Sequence, residues 1–302
     1  MTAEVISAGV LAVVVAMVDS EPCVLTLGDP VPRLPAGPLL PGHRSLQAST
    51  RLWVEEQTGR RLGYLEQLYT FADLDRDGSV GRSISISYLG LTTPTIDTGI
   101  GGWRGWYSLL PWEHTRDSAL VTGRIAPQIL EWAGQQPSTA SGRRQRCAIT
   151  FGLDGHPWQT DLVLQRYELL YEAGLVPESP STWRRPDDEL VPGDRMVGDH
   201  RRVLATGLAR LRAKIQYRPV VFELMAPEFT LRELQGCVEA LAGRAVHTQN
   251  FRRLIEQQSL VEETGQVDAD TGGRPARLYR FRREVLQERQ VAGTKLPTTR
   301  SR

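Results

Sequence analysis

Two neighbouring glutamates, Glu55 and Glu56, lie near the end of a segment that runs from a Gly/Pro-rich loop into a helix. This segment, residues 34–59, reads LPAGPLLPGHRSLQASTRLWVEEQTG. Carboxylates clustered on one helix face can hold Mg²⁺ against the oxygens of a pyrophosphate during hydrolysis. A single pair gives such a metal site few ligands. An ordinary loop and helix remains the alternative at this point.

A second set of residues with recognisable chemistry lies near the C-terminus, where Asn250, Arg252 and Arg253 stand off the apolar stripe of a short helix. Arginine pairs with guanine and asparagine with adenine in the major groove of DNA. From residue 213 onward the chain holds 15 Lys/Arg against 11 Asp/Glu, whereas the first 212 residues hold 21 against 24. The net charge of +1 therefore conceals a basic C-terminal end, which favours DNA over a protein partner.

The elements that would position this basic cluster can be followed along the chain. Thr230 and Glu233 have the spacing of a capping box, which predicts the start of a helix that ends at Gly243. A second helix is predicted over Thr248–Gln258, followed by two strands that a polar, Gly-containing turn joins. Helix, turn, helix and hairpin together predict a winged helix-turn-helix, whose second helix usually reads the major groove.

The predicted DNA contacts follow from this arrangement. The second helix would present its polar residues to the bases, and the hairpin tip would enter the minor groove or contact phosphate. Winged helices also serve as protein-interaction modules, so that alternative stays open. The predicted DNA-binding residues are Thr248, Asn250, Arg252, Arg253, Arg274 and Arg277, and Phe251 is expected to be in the core.

In the N-terminal two thirds of the chain, the sequence predicts a separate domain of strands and helices. Val10–Val18 is too short to span a bilayer and rich in β-branched residues, so we expect a buried strand paired with Val24–Leu27. Leu62–Phe71 and Ser83–Leu91 are also typical of strands. Apolar residues at helical spacing predict a long amphipathic helix over Val203–Ile215.

Other segments are less specific. Gly142–Arg146 and Glu178–Asp194 are polar and rich in Arg or Pro, which predicts exposed loops. The tryptophans of Trp103–Trp112 could stack on an adenine ring or belong to the core. Three widely separated cysteines without zinc-like spacing indicate a reducing, cytoplasmic setting.

The glutamate-bearing loop and helix resembles the Nudix box, a Gly-containing loop followed by a helix of the type REL-x-EE-x-G. Aligned on the terminal Gly59, Trp53 replaces the first glutamate and Gln57 replaces the second of the paired glutamates. Aligned from Gly37, Arg51 matches the motif arginine and the two glutamates match the pair, at the cost of one inserted residue. The motif is incomplete in both alignments, which implies a Nudix scaffold that has kept binding and lost catalysis.

The order of further motifs resembles the Nudix-related transcriptional regulators, which are called NrtR-like. These motifs are YLEQLYTF, the helix that begins DHR, FTLRELQ, NFRRLIE and GGRPARLYRF. The loop-helix version is most similar to the NadQ group of regulators of NAD biosynthesis. The resemblance covers nearly the whole chain and implies an α+β fold. A Nudix-like α/β/α sandwich domain would occupy 1–198, a connecting helix 199–216, and a C-terminal winged helix-turn-helix domain 217–302.

The resemblance also implies a function. We expect a cytoplasmic DNA-binding regulator, acting as a repressor of NAD biosynthesis genes, with double-stranded operator DNA as its partner and a homodimer as its assembly. The effector would be NAD, ADP-ribose or ATP, and no catalytic residue, catalytic cofactor, metal or membrane partner is expected. The competing expectation is an active Nudix hydrolase of a nucleoside diphosphate derivative with an appended winged helix.

The nucleotide is expected between the loop-helix and the two strands at 62–71 and 83–91. A helix start with a Gly-rich approach favours phosphate oxygens, and arginines could add charge-assisted contacts, although a solvated helix face explains the arginines too. The predicted ligand-binding residues are Gly37, Arg44, Arg51, Glu56 and Tyr69.

Overall fold

The structure, a computed structural model, describes residues 6–72, 83–94, 101–114, 118–216, 218–268 and 275–284. Within these residues the N-terminal part holds a larger sheet and the C-terminal part holds a hairpin. The strands of the larger sheet are β1 (Ser7–Val18), β2 (Glu21–Thr26), β3 (Ala36–Pro38), β4 (Tyr64–Phe71), β5 (Ser83–Leu91) and β6 (Gly102–Gly105).

Strand β1 lies at the centre of the larger sheet. The order is β4-β5-β1-β2-β6, with β1 parallel to β5 and antiparallel to β2, while β3 pairs with the start of β1. Most of β1 is buried, as its β-branched composition predicts for a strand covered on both faces. The sequence-based predictions of strands at 10–18, 62–71 and 83–91 are therefore confirmed, and β2 supplies the predicted partner of β1.

Helices cover both faces of this sheet. Alternate β1 residues such as Val10 pack towards helix α1 (Leu46–Thr58), in a cluster that includes Trp53. Val13, on the opposite face, contacts helix α7 (His200–Ile215), where a Cβ at Gly207 would lie 2.9 Å from the Val13 side chain. This arrangement is the α/β/α sandwich that the resemblance implied.

A helical segment links β6 to α7. It contains α2 (Trp106–Leu109), a 3₁₀ turn (Pro111–Glu113), α3 (Ser118–Leu120), a π-helical turn (Val121–Ile125), α4 (Ala126–Gly134), α5 (Ala140–Phe151) and α6 (Val163–Glu172). Trp106 and Trp112 are buried in the main core, which accounts for two tryptophans of the aromatic stretch.

The prediction of an exposed loop at Gly142–Arg146 is wrong, because these residues lie within α5. The reason is tertiary: Cys147 and Phe151 bury one face of α5. The arginines of the other face find partners, with Arg143 over the ring of Trp132 and Arg146 bonded to Glu172. Packing therefore overrides the weak local preference of a polar GRRQR run.

The three cysteines are free thiols in the interior. Burial raises the pKa of Cys23 to about 11, that of Cys147 to about 11 and that of Cys237 to about 12. All three thiols are therefore protonated near neutral pH and pack as small apolar side chains. None of the described helices combines the length and apolar character that crossing a bilayer requires.

The C-terminal part has the predicted order of elements. A 3₁₀ turn (Val220–Leu224) precedes α8 (Leu231–Ala242) and α9 (Thr248–Gln257), and the antiparallel pair β7 (Val261–Asp268) and β8 (Ala276–Phe281) follows. Backbone bonds in both directions between Phe229 and Tyr279 join β8 to the start of α8. The predicted connecting helix is α7, and it also packs against β1, β4 and β5 as part of the sandwich.

Candidate nucleic-acid interface and nucleotide site

Helix α8 begins with the capping box that the sequence predicts. The Thr230 side chain accepts the N–H of Glu233 at 3.1 Å, and the Glu233 carboxylate accepts the N–H of Thr230 at 2.7 Å. Gly243 ends the helix in the left-handed conformation, with φ of 69°. The start of α8 is therefore satisfied by residues of the helix itself.

The turn between α8 and α9 is fixed by side chains of α8. Gln235 donates from its amide to the Val246 carbonyl at 3.0 Å and to the Thr248 hydroxyl at 3.1 Å. Glu239 accepts the N–H of Val246 at 2.8 Å and is bonded to Gln235 in turn. These bonds hold the start of α9 at a set position on α8.

Helix α9 buries Phe251 and Ile255 and exposes its other side. Successive residues of an α-helix are about 100° apart, so Arg253 points almost opposite Phe251. Asn250 and Arg252 lie on the two flanks: Arg252 lines a cleft beside the β1–β2 turn, whereas Asn250 lines a cavity beside the end of α7. The three polar residues therefore do not form one cluster, and Arg253 is the most outward of them.

The hairpin of β7 and β8, which is the wing of the winged helix, carries arginines that are paired with acidic side chains. Arg277 on β8 donates to Glu263 on β7 at 2.7 Å, and Arg280 donates to Glu262 at 2.5 Å. The hydrogen bond with Glu263 raises the pKa of Arg277. Arg274, the predicted tip residue, lies outside the described residues.

In the N-terminal, Nudix-like domain, helix α1 is bonded to strand β3. Gln57 donates to the Ala36 carbonyl at 2.8 Å and accepts the Ala36 N–H at 3.1 Å, while the Trp53 indole donates to the Pro38 carbonyl at 3.0 Å. A Cβ at Gly37 would lie 2.3 Å from ring carbons of Trp53. Trp53 and Gln57, which align with motif glutamates, thus bind the backbone of β3 and offer no carboxylate.

The predicted nucleotide-binding residues are dispersed around the contact between α1 and β3. Arg51 donates to the backbone carbonyls of Leu62 and Gly63, the second at 3.0 Å, so it ties α1 to the approach of β4. Arg44 and Glu56 are exposed. Tyr69 is also exposed, and its ring packs edge-on against Phe71, which belongs to the core on the α7 face. In the described part of the chain, no group of three or more His, Cys, Asp or Glu side chains is arranged to hold a metal ion.

A buried charge cluster joins the two domains. Glu113 accepts from Arg166 at 2.6 Å and from Arg212 at 2.5 Å, and all three side chains are fully buried. Arg212 also donates to the Leu241 carbonyl at 2.9 Å, and the Tyr107 hydroxyl donates to the Ala240 carbonyl at 2.6 Å. The last carbonyls of a helix lack partners within it, so residues of the N-terminal domain satisfy the end of α8.

The C-terminal elements match a known family. Residues 221–281 match the model of the NrtR DNA-binding winged helix domain, a stretch that runs from the 3₁₀ turn to the end of β8. The C-terminal domain is an NrtR winged helix domain.

Comparison with individual proteins extends the similarity to NrtR. Over 83 residues the chain is 42% identical to the ADPR responsive transcriptional repressor NtrR of Acinetobacter baylyi, a stretch that covers 28% of this chain and 33% of that relative. The match therefore spans about a third of the relative's length.

The whole-chain fold is that of NrtR. The crystal structure of Shewanella oneidensis NrtR aligns with a TM-score of 0.54 and 21% identity, covering 91% of this chain and 94% of that one. The same protein complexed with a 27mer DNA gives a TM-score of 0.53 and 20% identity, covering 93% of this chain and 95% of that one. A MutT/nudix family protein from Enterococcus faecalis aligns with a TM-score of 0.54 and 17% identity, covering 93% of this chain and 88% of that one. The predicted fold, a Nudix domain followed by a winged helix, is confirmed.

The sequence did not reveal the residues that join the winged helix domain to the N-terminal domain. Glu113 lies 53 residues before Arg166 and 99 before Arg212, so no local spacing marks the cluster. The sequence offered one indication of the cluster, the charged Glu113 directly after Trp112 within an aromatic stretch. Gln57 and Trp53 were noted as losses from the motif, whereas their bonds to β3 required the structure.

Removing the cap of α8 should test how much local structure supports the NrtR-type domain. Thr230→Ala loses the side-chain bond to the Glu233 N–H, so we expect a loss of about 1 kcal/mol in the free energy of unfolding. Thr230→Ser keeps the hydroxyl and should retain most of the stability. Urea unfolding monitored by circular dichroism measures both variants, and equal losses in the two would contradict a role for the cap.

Proposed function

We propose that the protein is a DNA-binding transcriptional repressor in which a Nudix-type domain responds to ADP-ribose. The observation that carries this proposal is the NrtR winged helix at 221–281, whose reading helix is fixed on α8 and exposes Arg253. The Acinetobacter baylyi relative, named as an ADPR responsive repressor, supports both the repressor role and the effector.

The finer features of the proposal rest on the resemblance. We infer that the regulated genes serve NAD biosynthesis, that the protein acts in the cytoplasm as a homodimer, and that NAD and ATP are the alternative effectors. A dimer suits the reading of a palindromic operator, because each subunit then contacts one half-site. Thr248, Arg252, Arg274 and Arg277 are proposed to position the protein on the DNA backbone or minor groove, with Asn250 and Arg253 facing bases.

The sensor is proposed to bind a nucleotide without hydrolysing it. Gln57 uses both ends of its amide on Ala36, and Glu55 pairs with Arg61 at 2.7 Å, which leaves Glu56 as an exposed carboxylate of the motif. The proposed entrance for the ligand lies beside Gly37, Arg44 and Glu56. Tyr69, which packs on the α7 face of the sheet, stays a prediction as a ligand contact. Arg51 would contribute by holding the loop, since its guanidinium is already bonded to backbone carbonyls.

DNA binding can be tested by letting the protein select its operator from genomic DNA. Purified full-length protein is incubated with fragmented genomic DNA, bound fragments are recovered and sequenced, and the enriched sequence is titrated by fluorescence anisotropy. We expect a two-fold symmetric sequence upstream of genes for NAD biosynthesis. Uniform recovery of all fragments would contradict a specific regulator.

The alternative, an active hydrolase, is tested separately. Its support is the pair Glu55 and Glu56 on a Nudix-type scaffold, and it predicts turnover of ADP-ribose or NAD with Mg²⁺. We expect no products by chromatography after prolonged incubation, because Trp53 and Gln57 occupy motif positions that hydrolysis needs. Turnover that Glu56→Gln abolishes would establish the alternative.

Coupling between nucleotide and DNA is expected to be modest and reciprocal. By linkage, operator DNA must change the affinity for ADP-ribose by the factor with which ADP-ribose changes the affinity for DNA, a coupling of about 1–3 kcal/mol. Calorimetric titration of ADP-ribose, NAD and ATP into the protein with and without operator measures that factor. Equal affinities for all three ligands in both titrations would mean that the Nudix-type domain is not the sensor.

A further inference from the structure

A cavity of about 390 Å³ lies beneath the reading helix, between α9, α8 and the end of α7. Its walls are mainly apolar and include Ile215, Phe222, Val238, Phe251 and Leu254. Leu254 is half exposed although it is a large apolar residue. The volume and the apolar lining are those of a small-molecule site at a domain boundary.

Two arginines give the cavity a positive rim. Arg218 follows α7 and Arg244 follows α8, and both line the cavity and are exposed. Among the described residues, no side chain forms a hydrogen bond or ion pair with either guanidinium. Arg212 also reaches the cavity, but its donors are taken by Glu113, by the Tyr107 hydroxyl and by backbone carbonyls.

The charge of Arg218 also affects a neighbouring lysine, Lys214. Burial lowers the pKa of Lys214, and repulsion from Arg218 lowers it further. The amine of Lys214 contacts Glu66 and Tyr64 on β4, so an anion near Arg218 would satisfy the Arg218 guanidinium alone. Beside apolar walls such a contact is stronger than in open water, because fewer solvent molecules compete for it.

We propose that this cavity binds a small organic anion with an apolar body, such as an aromatic carboxylate or sulfonate. The anionic group would lie between Arg218 and Arg244, and the apolar body would pack against Val238, Phe251 and Leu254. The proposal depends on the cavity and its charges, and is independent of the nucleotide site in the sensor domain.

Occupation of this site would act on the reading helix directly. Phe251 and Leu254 belong to α9, whereas Ile215 belongs to α7. A ligand that contacts all three fixes α9 relative to the sandwich, without any change at the Nudix-type loop. The site would therefore give DNA binding a second input.

The probe for the test is 1-anilinonaphthalene-8-sulfonate, an apolar ring system with one sulfonate, titrated into the full-length protein by fluorescence and by calorimetry. We expect one molecule bound per chain and competition by 2-naphthoate. Arg218→Gln/Arg244→Gln should weaken binding about tenfold or more. Val238→Phe, which fills the cavity, should abolish it, and Arg253→Gln, on the far side of α9, should leave it unchanged.

Several results would overturn the proposal. One is that the dye does not bind at one molecule per chain. Another is that its affinity is unchanged in both the double-arginine variant and the Val238→Phe variant. Ala242→Leu is the second filling variant if Val238→Phe unfolds, which circular dichroism would reveal. A chain shortened to end at Glu284 examines another occupant: if the dye binds after removal of residues 285–302 and not before, the chain's own C-terminal segment fills the cavity.

Discussion

Replacing Glu113 with alanine should destabilise the folded protein by about 3–5 kcal/mol. The reason is that Arg166 and Arg212 would stay buried with no carboxylate between them, whereas Glu113 now bonds both at 2.5–3.0 Å. Breaking a buried pair on one side costs far more than the intact pair contributes. Urea unfolding monitored by tryptophan fluorescence measures the loss in the free energy of unfolding, which includes the contacts between α8 and the N-terminal domain.

An exposed ion pair of the same chemistry provides the control. Glu172→Ala breaks the bridge to Arg146, in which both side chains are more than a third exposed. Water screens such a pair, so its loss should cost about 1 kcal/mol or less. If Glu113→Ala were no more destabilising than Glu172→Ala, the cluster would not hold the domains together.

Replacing Arg253 with alanine should weaken operator binding by about 1–3 kcal/mol, if its guanidinium reads a base. Arg253 is exposed near the middle of α9 and opposite the buried Phe251. The loss should be larger for the operator than for unrelated DNA, because a base contact carries sequence information and a phosphate contact does not. Anisotropy titrations at one fixed salt concentration measure both affinities.

Arg61→Ala is the matched control for Arg253→Ala. Arg61 is a strongly exposed arginine of the N-terminal domain, paired with Glu55, so its removal alters the net charge equally. We expect unchanged affinity for the operator. The proposed placement of α9 and the wing on DNA also fails if Arg252→Ala and Arg274→Ala both leave the affinity unchanged in gel-shift titrations.

The buried cluster around Glu113 gives the two domains a physical connection. Arg212 lies on α7, a helix of the sandwich, and bonds the last turn of α8 in the winged helix domain. A movement of α7 would therefore pull on α8, and through Gln235 and Glu239 on the start of α9. This path offers the proposed effector a route to DNA affinity that needs no unfolding of either domain.

The sequence alone determined features whose causes are local. The capping box at Thr230 and Glu233 involves residues three apart, and its geometry follows once the chain turns into a helix. The buried strand β1 followed from a run of β-branched residues, and the end of α1 followed from Gly59. Motif order was enough to anticipate the Nudix and winged helix folds, because motifs such as YLEQLYTF, FTLRELQ and NFRRLIE fall at β4, α8 and α9.

Tertiary structure decided how distant residues were used. Gly142–Arg146 became helix because packing of Cys147 and Phe151 outweighed a polar local sequence. Asn250 and Arg252, two residues apart, face different clefts because α9 buries Phe251 between them. Trp53 and Gln57 clamp β3, and Glu113 binds two arginines from other helices. Each of these depends on contacts between segments that only the folded chain brings together, and no local pattern encodes such contacts.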